Sequence, residues 1–208
     1  MFLLASIVFY PYAETSGPGF YAFRTIGTLV ILITVWAVTF NRHLLFLVVV
    51  LAIPSILQHF LFPHSHGVFP LVNRILSIAF DLLIIVIIAR HIFRTDNPNA
   101  ETIFGALCIY LLLGFTFASV YSAIFNHVQN AFYLTPALNL HPVPDRFDFI
   151  YFSFGTLTEL GSPGITPVSP IARSVSLLEA IVGVLYMAVL ISRLINAYHT
   201  REASSVSR

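Results

Sequence analysis

Five stretches of this chain stay apolar for about the twenty residues that an α-helix needs to cross a hydrocarbon core of roughly 30 Å. They run over Phe20–Phe40, Leu44–Phe62, Val72–Phe93, Thr102–Phe125 and Val175–Tyr198. In lipid every backbone N–H and C=O must be satisfied inside the protein, so runs of this length with few charges predict spanning helices. Composition excludes a water-soluble globule, because 58% of the 208 residues are hydrophobic and only 9% are charged. The expected class is an all-α integral membrane protein whose surroundings are the lipid bilayer.

The breaks between the runs carry turn chemistry at Glu14–Gly19, Asn41–His43, Pro63–Gly67 and Arg94–Glu101. The opening "FLLASIVFY" has no basic leader and no small-residue cleavage site, and it is too short to span before Pro11. It reads as a tilted partial span or as the end of a helix that starts upstream, which brings the expected total to five or six spans. Between the last two spans the pattern changes. Asn126–Pro144 is polar and proline-bearing, "DRFDFIYFSFGTLTEL" is a half-length aromatic helix, and "GSPGITPVSP" is irregular. A helix too short to span, followed by a Gly/Pro segment, predicts a re-entrant loop whose backbone lines water or is buried in protein. One such loop cannot enclose a pore, so a ring of identical chains is expected. The domains then read as N-terminal helices over 1–100, a pore module over 101–198 and a short tail over 199–208.

Charge narrows the partners. All ten basic residues are Arg and the net charge is +1, which offers no basic field for nucleic acid. With the carboxyl end in the cytoplasm, Arg42, Arg90, Arg94, Arg193, Arg201 and Arg208 lie inside, and Arg24, Arg74, Arg146 and Arg173 lie outside. This bias has the direction that membrane topology favours. Arg74, Arg90 and Arg94 form no ladder at every third position, so an arginine-type voltage sensor is not expected.

Few other residues carry chemistry. Cys108 stands alone in an apolar stretch, where it reads as a small packed hydrophobe. His59, His64 and His66 cluster near one loop, and three imidazoles can bind zinc, but their spacing matches no rigid ligand motif and a solvated loop is the plainer reading. Asp81 is an acid inside an otherwise lipid-like span. Intramembrane acids are costly, so it reads as a proton or cation relay, or as a partner of Arg74 or of a hydroxyl on a neighbouring helix.

Over Thr102–Tyr198 the chain resembles the pore module of the potassium channel superfamily. The resemblance rests on "YFSFGTLTELG", with Tyr151 and Phe152 at the paired aromatic positions and Thr156–Thr158 ending the pore helix. It continues in "ITPVSPIARSVSLLEAIVGVLYMAVLISRLI" from Ile165, and "TIFGALCIYLLLGF" is similar to the outer helix of small bacterial six-span members. The resemblance implies a homotetramer in a bacterial inner (plasma) membrane that conducts inorganic cations passively and needs no cofactor beyond the permeant ion.

The family filter, T-V-G-Y-G, replaces the hydration shell of potassium with rings of backbone carbonyls. In the same register this chain reads Glu159, Leu160, Gly161, Ser162 and Pro163, directly after Thr158. Pro163 is locked near φ −65° and lacks an amide hydrogen, and it pushes Ser162 toward extended backbone, so a four-site potassium filter is not expected. Gly164 stands where the family carries an aspartate. Glu159 replaces the threonine of the innermost ion site. In a tetramer it forms a ring of four carboxylates, implying weak potassium selectivity or none, unless it turns behind the filter. Gly183 falls at the family's hinge position in the inner helix, where the alternative is close packing against the outer helix. Glu179 resembles a position that supports the pore helix, with Arg173, Thr156 or Thr158 as candidate partners.

Two other classes compete with an ion channel. A non-conducting pseudochannel or accessory subunit should also show erosion of the flanking helices, yet Tyr151–Thr158 and Ile165–Ile195 keep their pattern. An intramembrane enzyme would need paired polar residues within at least two spans, and Asp81 and Glu179 lie in no catalytic motif.

Overall fold

The computed structural model describes residues 68–94, 100–139, 142–162 and 164–206. Two compact units divide between Val86 and Ile87. The first unit is described only over the opening part of helix α1 (Val68–Arg94), and the second runs from the end of α1 onward. The runs Phe20–Phe40 and Leu44–Phe62 and the residues His59, His64 and His66 lie outside the described residues.

Helix α1 carries Pro70 in its first turn, where a missing N–H leaves no bond unmade, and Arg90, His91 and Arg94 near its carboxyl end, where the helix dipole favours cations. Helix α2 (Ala100–His127) ends as Asn130 enters the left-handed region at φ 54°, a conformation that asparagine tolerates better than most residues. Inside α2, Thr116 donates to the Leu112 carbonyl at 2.7 Å and Ser119 to the Phe115 carbonyl at 3.0 Å. Each hydroxyl is thereby satisfied one turn back, as an apolar surrounding requires.

Helix α3 (Arg146–Leu157) has a complete capping box, with Asp145 accepting from the Asp148 N–H at 2.8 Å and Asp148 from the Asp145 N–H at 2.9 Å. Its 12 residues rise roughly 18 Å, too little to cross a bilayer. Helix α4 (Pro170–Val206) opens with proline at its first position behind Ser169, whose hydroxyl accepts from the Ala172 N–H at 3.2 Å.

Segments of α1, α2 and α4 (Arg74–Ile92, Thr102–His127 and Pro170–Arg193) are long and apolar enough to cross a membrane. The apolar runs expected at Val72–Phe93, Thr102–Phe125 and Val175–Tyr198 lie inside these helices. Each helix extends past its run because caps, not hydropathy, decide where helical hydrogen bonding stops.

A purely helical fold is not what forms. Strands β1 (Phe132–Leu134) and β2 (Ile165–Pro167) pair antiparallel, with Phe132 opposite Pro167, Tyr133 opposite Thr166 and Leu134 opposite Ile165. The ribbon joins the loop before α3 to the loop after it. Phe132 anchors it, packing edge-on against Tyr121, Phe149 and Phe152 with ring centroids 5.5 to 5.8 Å apart. This aromatic cluster, drawn from α2, β1 and α3, is the core that holds α3 in place.

Candidate pore-loop site

Helix α3 packs against both α2 and α4, and its buried face consists of Phe149, Ile150, Phe152, Ser153, Gly155 and Leu157. Gly114 on α2 makes the seat. A Cβ there would lie 2.5 to 2.9 Å from the Phe154 ring, so only glycine admits the ring at that depth. Beside it the Ser153 hydroxyl donates to the Gly114 carbonyl at 2.7 Å. On the other side, a Cβ on Gly183 of α4 would run into the Leu157 carbonyl oxygen and lie 3.2 Å from the carbonyl carbon. Gly183 is therefore a point of close packing against α3, within a helix that runs unbroken through it.

Glu179 sits fully buried where α2, α3 and α4 meet. One carboxyl oxygen accepts from the Tyr121 hydroxyl of α2, and the other is hydrogen-bonded to the Ser153 hydroxyl of α3, each at 2.5 Å. The partners expected for it, Arg173, Thr156 and Thr158, are engaged elsewhere: Arg173 Nε donates to the Pro167 carbonyl, Thr156 to the Phe152 carbonyl and Thr158 to the Phe154 carbonyl. The Thr156 and Thr158 hydroxyls thus follow the general tendency to bond one turn back, while the acid recruits an aromatic hydroxyl from a third helix.

The carboxyl end of α3 leads into the segment expected to be the filter, and every one of its last four carbonyls accepts a hydrogen bond. Phe154 accepts from the Thr158 N–H at 3.0 Å and Thr156 from the Glu159 N–H at 3.1 Å; Gly155 accepts from the Gly161 N–H at 2.9 Å and Leu157 from the Tyr110 hydroxyl at 3.2 Å. A helix ending inside a membrane protein must satisfy these groups internally.

Glu159 follows the cap residue Thr158 and is exposed, with φ 58°, in the left-handed region that glycine fills at such helix ends. Leu160 projects 81% exposed. Gly161 has φ 83°, which only glycine adopts freely, and its carbonyl oxygen lies 2.7 Å from where a Cβ on Gly155 would be. That carbonyl is turned onto α3. Ser162 is half-buried, and its hydroxyl oxygen is buried with no hydrogen-bond partner among the described residues. Pro163 lies outside the described residues.

Of the remaining residues singled out by sequence, Asp81 is half-buried on α1 and Cys108 is a partly buried free thiol on α2. Several residues that shape the site carried no sequence signal of their own. Gly114, Ser153 and Tyr121 are ordinary members of apolar or aromatic stretches, and only the rotation of each helix reveals their roles. A glycine and a serine on opposing helices were the available hint, since small residues let membrane helices approach closely.

Among the described residues, three helices are long and apolar enough to cross a membrane, and a short capped helix ends in an irregular loop, features that fit a pore-loop membrane protein. A family model described as an ion channel matches residues 78–199, well over half of the chain and the whole of this site. The chain belongs to the ion channel family. No curated protein and no solved structure matches it.

Proposed function

We propose that the protein is a cation channel with weak or no preference for potassium, in which four copies bring their α3 helices and filter segments onto one axis. Each copy contributes five or six spans, a pore module over 101–198 and a short tail over 199–208. The carboxyl end lies in the cytoplasm, and the membrane is the bacterial inner membrane. Conduction is passive and needs no cofactor beyond the permeant ion, and family membership points to transport rather than enzyme chemistry.

One observation carries the selectivity reading. Glu159 stands exposed at the carboxyl end of α3 in a conformation that costs a non-glycine residue roughly 1–2 kcal/mol. A carboxylate at that end also opposes the helix dipole, by about 0.3–1 kcal/mol. Both penalties fall on one exposed residue, which is the pattern of a position kept for its chemistry. A ring of four such carboxylates concentrates cations, and a bound cation offsets both their mutual repulsion and the dipole. The Gly161 carbonyl turned toward Gly155 supports the same reading, because a potassium filter needs that oxygen on the axis.

The test is ion flux from purified protein in liposomes under potassium, sodium and calcium gradients, with Glu159→Gln beside the wild type. Comparable potassium and sodium flux, with altered permeability ratios in the variant, is the expected result. Strong discrimination for potassium over sodium contradicts the reading, as do unchanged ratios in Glu159→Gln. A complete absence of flux identifies a non-conducting relative with the same fold.

A further inference from the structure

The loop before α3 reaches across to the far end of the filter segment. The Gly164 carbonyl, one residue beyond the filter positions Glu159–Pro163, accepts two hydrogen bonds from that loop: the Thr135 N–H at 3.0 Å and the Asn139 side-chain amide at 2.7 Å. The same amide nitrogen donates to the Thr135 carbonyl at 2.9 Å. Two carbonyls facing one amide group fix its orientation, since the flipped rotamer would set oxygen against oxygen at both contacts. The Thr135 carbonyl also accepts from the Leu138 N–H at 3.0 Å, which closes the turn that carries Asn139.

We propose that Asn139 is a positioning residue of the pore, holding the outer end of the filter segment through the Gly164 carbonyl and thereby setting how the pore discriminates among cations. The proposal rests on the cation-pore reading above for its last clause only. Both lone pairs of the Gly164 carbonyl are occupied, so the oxygen is a structural anchor and its peptide plane is fixed. The anchor has a rigid base. From Asn139 the hydrogen bonds lead into the β1–β2 ribbon, and the ribbon is pinned by Phe132 in the aromatic cluster with Tyr121, Phe149 and Phe152. The ribbon's other end is tied as well, the Val168 and Ser169 N–H groups both donating to the Ala131 carbonyl.

Gly164 fits this arrangement as a small residue. A Cβ there would stand 3.3 Å from the Asn139 Oδ1 and 3.4 Å from its Nδ2, so a side chain would press on the amide that holds the carbonyl. Where the family pattern carries an aspartate on the filter strand itself, this chain takes its anchor from the preceding loop. Ion discrimination depends on ligand placement to about 0.5 Å, and a site is only as well placed as the groups that support it. Within the described part of the filter segment, the Leu160 side chain is exposed and the Ser162 hydroxyl oxygen has no hydrogen-bond partner among the described residues.

The experiment uses the full chain with Asn139→Asp and Asn139→Leu. The first replaces the donor nitrogen with an acceptor at nearly constant shape, and the second removes the polar group without adding charge. Hydrogen exchange read by mass spectrometry over peptides covering 159–165 is expected to quicken roughly fivefold in both, the change that follows from losing one such bond. In planar bilayers of phosphatidylcholine and phosphatidylglycerol, both variants are expected to shift the sodium-to-potassium permeability ratio in the same direction. A shift confined to Asn139→Asp assigns the effect to charge at the mouth and overturns the proposal. Unchanged exchange in either variant overturns it, and so does faster exchange without a permeability change. Should both variants misfold, Gly164→Ala, which crowds the amide without removing it, must shift the ratio in the same sense to a smaller degree, and no shift counts against the anchor. If the wild type carries no current, the pore reading fails, and with it the claim on discrimination, while the exchange measurement still decides whether Asn139 holds the filter.

Discussion

Ser153 on α3 and Glu179 on α4 are joined oxygen to oxygen at 2.5 Å, and Ser153 lies 2.7 Å from the Gly114 carbonyl of α2 as well. One hydroxyl carries one hydrogen, and a carbonyl can only accept. Both contacts are satisfied together when the residue at 179 supplies a hydrogen, as a carboxylic acid or a glutamine amide does. Glu179→Gln is therefore expected to fold and to unfold within about 1 kcal/mol of the wild type. Glu179→Leu removes the acceptor of the buried Tyr121 hydroxyl while Ser153 keeps the Gly114 carbonyl, and it is expected to cost about 1–3 kcal/mol. Thermal unfolding in detergent, followed by circular dichroism, compares the two. Equal destabilisation would show that the acid serves by its charge rather than by its hydrogen bonds.

Gly114 and Gly183 both hold α3, but the obstacles they face differ in kind. At Gly114 the obstacle is the Phe154 ring, a side chain that can be shortened. Gly114→Ala is expected to cost about 1–3 kcal/mol by overpacking and to be rescued in part by Phe154→Leu. At Gly183 the obstacle is the Leu157 backbone carbonyl, which no second substitution removes. Gly183→Ala is expected to displace the end of α3 and to abolish conduction without any such rescue. A double-mutant cycle on stability tests the first pair, and flux tests the second position. A Gly183→Ala channel that conducts normally would mean that the contact at Leu157 relaxes at little cost.

The capping box ties the start of α3 to its sequence alone. Asp145→Ala removes the acceptor for the Asp148 N–H and is expected to cost about 1 kcal/mol, while Asp145→Asn, which keeps an acceptor oxygen, costs a few tenths. Equal melting temperatures for the two would show that the aspartate acts through the helix dipole instead.

The helices were legible in the residues because lipid leaves the backbone little choice: a run such as Thr102–Phe125 has to be helical somewhere along its length. Their ends were less so, as α4 begins at Pro170 behind the Ser169 cap, five residues before the apolar run at Val175. The ribbon was not legible. Its strands are three residues each and are paired across more than thirty positions, so neither carries a periodicity of its own. The filter segment could be aligned by register, but its backbone could not, since the left-handed turn at Glu159 defies the preference of its side chain. The Glu179 lock was half legible. A buried acid demands partners, yet that these are Tyr121 and Ser153 depends on how three helices are rotated about their axes.

On the cation-pore reading proposed above, Glu159 brings stability and function into opposition, and the two can be separated at that one position. Glycine there removes both the strain of φ 58° and the unfavourable meeting of a carboxylate with the helix carboxyl end. Glu159→Gly is expected to raise thermal stability by about 1 kcal/mol while lowering cation flux and weakening block by added calcium. Glu159→Gln keeps the strain but discharges the ring, so it is expected to match the glycine variant in flux while gaining little stability. Unfolding in detergent and flux in liposomes, measured on the same three proteins, give the comparison. If the glycine variant were both less stable and unaltered in flux, the side chain would be making native contacts behind the filter, and the carboxylate ring would have to be abandoned.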